Sequence, residues 1–164
     1  MTLEELEAAV GLLTGRVSLI ETSTPTLEDQ MFSLVIDGWS GGTTLTTPQR
    51  MTLFVAPIPV QIKSVDVSFD YGNVAASNTN YWRAVLEKSE VSGAFPDITA
   101  KTTQTTGAEA NGPIVARRCW SFDSANWGDA DIAKGQLLTL YWQKTGTPPG
   151  LTLPMAVTVR YAAL

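Results

Sequence analysis

The apolar residues of the first twenty positions recur at alternating steps of three and four: Leu3, Leu6, Val10, Leu13, Val17 and Ile20. This is a heptad seam, with Leu3, Val10 and Val17 in one row and Leu6, Leu13 and Ile20 in the other. A lone helix of about 18 residues, spanning roughly 27 Å, is marginal in water, because nucleation is unfavourable and its stripe has nothing to bury against. The seam therefore needs a partner, either copies of itself or the body of its own chain. Thr2 and Glu5 form a capping box, and Glu4, Glu5 and Glu7 place negative charge at the positive end of the dipole. Gly11 and Gly15 each lower helix propensity by about 1 kcal/mol relative to Ala. The spacing predicts a coiled-coil stem over residues 1–21 that relies on the rest of the chain to associate beside it.

The number of strands in that stem is less tightly specified. Val above Leu in the seam favours a dimer, whereas Ile20 favours more than two strands. Arg16-Val17-Ser18-Leu19-Ile20-Glu21 resembles the short trimerisation motif of three-stranded coiled coils, in which the Arg packs along the seam and pairs with the Glu of a neighbour. Trimer is the expectation, with Leu3, Leu6, Val10, Leu13, Arg16, Val17, Ile20 and Glu21 as the oligomerisation residues. A dimer and a helix folded back on its own body are the alternatives.

Residues 22–30 read as a hinge, rich in Ser and Thr, with Pro25 forbidding helix continuation. From Met31 the period changes from 3.5 to 2, and residues 31–164 form the expected head. Strands are predicted over 31–36, 51–56, 60–70, 79–88, 98–106 (a Thr-rich strand or edge), 114–122, 136–143 and 155–161, with Gly, Pro and Asn turns between them. Val60 and Ile62 are out of phase with Val65, Val67 and Phe69, so an extra residue near Lys63-Ser64 is expected to form a β-bulge. Trp82, Trp120 and Trp142 fall on inward faces. The fold class is mainly β: an N-terminal coiled-coil helix followed by an antiparallel, jelly-roll-like β-sandwich.

Composition narrows the function. Charged residues are 16% and the net charge is −5, of which the stem carries −3 (four acids, one Arg) and the rest −2 (twelve acids, ten bases). Without a basic stripe, nucleic-acid binding is not expected. No apolar run is long enough to span a membrane, and the acidic N-terminus lacks a signal-peptide pattern. Synthesis in a host cytoplasm is the expectation. The stem tip is expected to contact a partner.

The chain has no histidine, which removes Ser-His-Asp and Cys-His catalysis and His-ligated zinc. Cys119, the single cysteine, reads as a small buried residue on an alternating strand. Asp66 and Asp70 alternate outward as solvated strand residues do, which argues against a glycosidase pair. Asp123, Asn126, Asp129 and Asp131 lack EF-hand spacing and read as a polar turn. No enzyme activity, metal or cofactor is expected. Trp39, Tyr71, Tyr81 and Trp127 fall in loops or on faces away from the core. Of these, Trp39, Tyr71 and Trp127 are the candidate ligand-binding residues, because exposed aromatics stack on sugars or anchor proteins.

Ala56-Pro57 leading into Ile62-Lys-Ser-Val-Asp-Val-Ser-Phe69, Thr79 to Lys88, Ala133 to Leu140 and Leu153 to Tyr161 resemble the small β-sandwich domains of tailed-phage virion proteins. The likeness covers about two thirds of the chain. Gly135-Gln136 departs from the Gly-Asp usual before that strand. The resemblance implies a homotrimeric capsid decoration or head-fibre protein on the outer capsid surface of a bacteriophage virion, with the major capsid protein as partner. A trimeric receptor-binding fibre tip that recognises host surface glycan is the alternative, and a non-viral lectin-like module a third.

Overall fold

The computed structural model describes residues 30–36, 44–70, 73–123, 130–152 and 154–164. Eight longer strands make up the body: β1 (Gln30–Ile36), β3 (Gln49–Val55), β4 (Val60–Phe69), β6 (Tyr81–Lys88), β7 (Asp97–Thr102), β9 (Cys119–Asp123), β11 (Leu137–Thr145) and β13 (Met155–Ala163). Between them lie the two-residue strands β2 (Thr44–Leu45), β5 (Asn73–Val74), β8 (Ile114–Val115), β10 (Asp131–Ile132) and β12 (Leu151–Thr152).

One sheet runs β1-β13-β4, and the far side of β4 is shared in tandem by β9 and β10. The other runs β3-β11-β6-β7. Every pairing between the named strands of these two sheets is antiparallel. Successive long strands alternate between the sheets except β6 and β7, which are neighbours in one. This is the strand order of an eight-stranded jelly roll. The small ribbons β2-β12 and β5-β8 lie outside both sheets.

Alternation dictates which residues meet between the sheets. Val60, Ile62, Val65, Val67 and Phe69 of β4 face Trp82, Ala84 and Leu86 of β6 and Leu138, Leu140 and Trp142 of β11, all buried in one core. The rings of Phe69, Trp120 and Trp142 pack with centroids 5.8–6.1 Å apart. The expected bulge is present: Ile62 pairs with Tyr161 and Ser64 with the adjacent Arg160, so Lys63 is the extra residue. That one insertion keeps both halves of β4 facing inward.

Three expectations need correction. First, the described residues form a sandwich of strands with no helix among them, so the N-terminal coiled-coil helix of the expected fold class is not shown. The seam from Leu3 to Ile20, with Arg16 and Glu21, lies outside the described residues. Second, the strand expected over 114–122 is two: β8 turns off into its own ribbon, and the chain reverses at Arg117, whose φ is 59°. A left-handed Arg carries no Gly-like signal in the sequence. Third, Cys119 is exposed, not buried. It lies on the outer face of the β9 edge, and among the described residues no layer covers it.

Candidate functional site

The outer face of the β3-β11-β6-β7 sheet holds a layer of charge. Cross-strand pairing sets Arg50 beside Tyr141, Thr139 beside Glu87, and Gln143 beside Arg83. Glu87 is 2% exposed. A carboxylate that deeply buried needs a partner, and Arg50 supplies it: Nε donates to Oε2 at 2.5 Å and Nη2 to Oε1 at 3.1 Å. The Thr139 hydroxyl donates to Oε2 at 3.2 Å. The bond to Glu87 holds the Arg50 guanidinium above its ordinary pKa. Its carbon lies 4.6 Å from the Phe95 ring centre and 4.4 Å from that of Tyr141. Phe95 comes from the loop between β6 and β7, so that loop is fastened over the sheet by a cation–π contact.

Four residues before Glu87 along β6, Arg83 makes the second set of pairs. Its Nε and Nη2 donate to Glu109 at 2.7 and 2.8 Å, Nη2 also to Asp97 at 3.1 Å, and Nη1 to Gln143 at 3.1 Å. The fork geometry of the guanidinium suits this bidentate grip. Arg83 holds the Glu109 carboxyl below its ordinary pKa. Glu109 belongs to the segment after β7, which the ion pair ties back to the sheet. Val85, between Arg83 and Glu87, is fully buried although it points away from the core.

Beside Arg83 a groove of about 630 Å³ opens between β7 and residues 108–110. Lys101 borders it. Its ammonium donates to Asn111 Oδ1 at 2.9 Å and sits 5.8 Å from the Phe122 ring, and burial lowers its pKa.

The residues singled out in the sequence fall elsewhere. Trp82, Trp120 and Trp142 are core residues, at most 3% exposed. Asp66 is half-buried on the outer face of β4, and Asp70, Asp123 and Asp131 are exposed. Tyr81 is half-buried at the start of β6, paired with Thr145. Trp39, Tyr71 and Trp127, with Asn126 and Asp129, lie outside the described residues. Among the described residues no group of three or more His, Cys, Asp or Glu is placed to hold a metal. Sequence reasoning missed Arg50, Glu87, Arg83 and Glu109. Their only signal was charge at strand positions where a solvated face is the ordinary reading, and the partners stand 37 and 26 residues apart.

No family model and no curated protein matches the chain. Among solved structures, it is similar to a chain of tomato aspermy virus, at 11% identity and a TM-score of 0.44, covering 93% of this chain and 95% of that one. It is also similar to a chain from the Gt strain of infectious bursal disease virus, at 10% identity and a TM-score of 0.24, covering 82% and 36%. Both TM-scores are too low to establish a shared fold, and the jelly-roll assignment rests on the strand order itself.

Proposed function

We propose that this chain is a structural virion protein that works by association, without catalysis. The observation that carries the reading is a jelly-roll strand order around an interior filled by its own side chains. Trp82, Trp142, Phe69 and Phe122 are fully buried between the sheets, where a jelly-roll enzyme would keep a substrate cavity. What is left to act is the surface. Jelly rolls recur in viral capsid proteins, and also in lectins and cupins, so the fold alone does not choose among them.

Two further points support the virion reading. The segments that resemble phage virion domains are β4, β6, β11 and β13, which pair as β4-β13 in one sheet and β6-β11 in the other. The likeness thus falls on the central pair of each sheet and not on scattered loops. The absence of histidine from the whole chain takes away the commonest catalytic base and metal ligand.

The finer reading is a homotrimer seated on the outer surface of a phage capsid as a decoration protein. It rests on the resemblance given by β4, β6, β11 and β13. Quantitative mass spectrometry of purified particles tests it. The expected result is a copy number comparable with that of the capsid subunit. A few copies per particle would point to a fibre tip instead, and absence from the particle would refute a virion role.

A further inference from the structure

Asn111-Gly112 is the single Asn-Gly step in the chain. Asn73, Asn78, Asn80 and Asn126 are followed instead by Val74, Thr79, Tyr81 and Trp127. The difference is chemical. The backbone nitrogen of the next residue is held close to an asparagine carboxamide by the chain itself, so its attack is intramolecular. A glycine has no side chain to shield that nitrogen. Turn geometry explains why glycine stands here, since the φ of Gly112 is 81°. A Cβ built on it would meet nothing within 4 Å, so packing does not cover the nitrogen.

Hydrogen bonds hold it instead. The Gly112 N–H donates to the Gln104 carbonyl at 3.0 Å, and the Asn111 N–H to the Thr102 carbonyl at 2.9 Å. The Asn111 Oδ1 accepts from the Lys101 ammonium at 2.9 Å. An ammonium only donates, so this contact fixes which end of the carboxamide faces it. Strand register places the lysine there. Lys101 pairs with Ala84, a core residue, and so stands on the inner face of β7, where an ammonium needs an acceptor. Asn111 supplies one beside the Phe122 ring.

Cyclisation has to undo these bonds. The carboxamide must leave Lys101 and swing over its own backbone. The Gly112 nitrogen must leave Gln104 and shed its proton. The parallel bridge between Thr102 and Ala110 keeps the whole segment 108–112 against the end of β7. The two reacting groups are therefore free only when that segment lifts, a local opening of the kind that exposes single loops without global unfolding.

We propose that Asn111-Gly112 is a self-modification site that the docked segment keeps closed, with Lys101 as its latch. In the lifted segment the Gly112 nitrogen bonds to Cγ of Asn111, the Cγ–Nδ2 bond breaks, and the proton shed by the nitrogen leaves with the amide as ammonia. Water then opens the succinimide at either carbonyl, giving aspartate or isoaspartate. Aspartate sets a carboxylate against the Lys101 ammonium. Isoaspartate routes the main chain through the side-chain carbon and lengthens it. That breaks the register of the Thr102–Ala110 bridge and loosens the segment through which Glu109 holds Arg83. The site is independent of the virion reading, so the two fail separately.

The test is peptide mass spectrometry of the full-length chain held at mildly alkaline pH, folded and, in parallel, unfolded in guanidinium chloride. Conversion is read as aspartate plus isoaspartate at Asn111. The unfolded chain is expected to convert, and the folded chain to lag by at least about tenfold, because only locally opened molecules react. Lys101→Met removes the latch and keeps an apolar stem on the inner face. It is expected to speed conversion of the folded chain about tenfold, as for one hydrogen bond to a charged group, and to leave the unfolded rate unchanged. If K101M does not fold, the parent chain still decides: over low guanidinium concentrations, conversion is expected to rise in step with exchange of the Gly112 amide. No conversion in the unfolded chain, equal rates in the folded and unfolded parent, a folded K101M that converts no faster, or conversion that ignores Gly112 exchange would overturn the proposal.

Discussion

On the outer side of the β3-β11-β6-β7 sheet, Glu87 and Thr139 are 2% and 1% exposed. On the outer side of the other sheet, Cys119 and Ser121 are exposed, and Asp66, Ser68 and Thr158 are half-buried. Both rows point away from the same core. The difference is what lies above them. The first sheet is overlaid by the β6–β7 loop and the segment after β7, each fastened through an arginine. Over the second sheet the described residues place no such layer, and its face is a field of short polar groups such as the Ser33 and Thr158 hydroxyls, 2.9 Å apart. An outward-facing polar residue is thus structural on one sheet and solvated on the other.

The largest test of that contrast is Arg50→Met, which leaves Glu87 buried without its partner. Breaking one side of such a pair costs about 3 kcal/mol, read as a lower urea midpoint. The double variant R50M/E87M replaces both charges by apolar groups of similar volume and is expected to recover most of that loss. Failure to recover would mean that packing, and not the stranded charge, explains the first result. Phe95→Ala releases the loop from Arg50 and is expected to cost about 1 kcal/mol, with faster amide exchange over 89–96.

Glu109 gives a pH signature. Its folded pKa is depressed, so its contribution is present above the ordinary glutamate range of ~4.3. It is lost as pH falls through the lower folded value. Denaturation of Glu109→Gln beside the parent chain is expected to show a gap in midpoint at neutral pH that closes below about pH 4. A gap that persists in acid would remove the ion pair as its cause. The smallest effect belongs to the open face: Asp66→Asn and Ser33→Ala are each expected to stay within about 0.5 kcal/mol.

The same contrast explains how far the sequence could be read. Period-two alternation located the long strands and the tryptophan core, because burial between two sheets is a local pattern repeated along each strand. The phase slip between Ile62 and Val65 exposed the bulge for the same reason. What alternation does not encode is whether the back of a sheet is covered. Glu87 and Asp66 occupy equivalent positions in the pattern, and only the fold-back of 89–96 and of the segment carrying Glu109 separates them. Cys119 was misread on that ground: its hydrophobicity suggested burial on a face that no other described residues overlie. The break at Arg117 was invisible because an arginine rarely adopts positive φ. The Thr-rich stretch 98–106 read as a strand or an edge, and β7 is the terminal strand of its sheet.

The claim at the centre of this account is that the chain acts as a subunit of an assembly. Multi-angle light scattering of the full-length protein tests it most directly. The account predicts a mass three times that of the monomer, stable on dilution. A monomeric mass across the whole concentration range would contradict it.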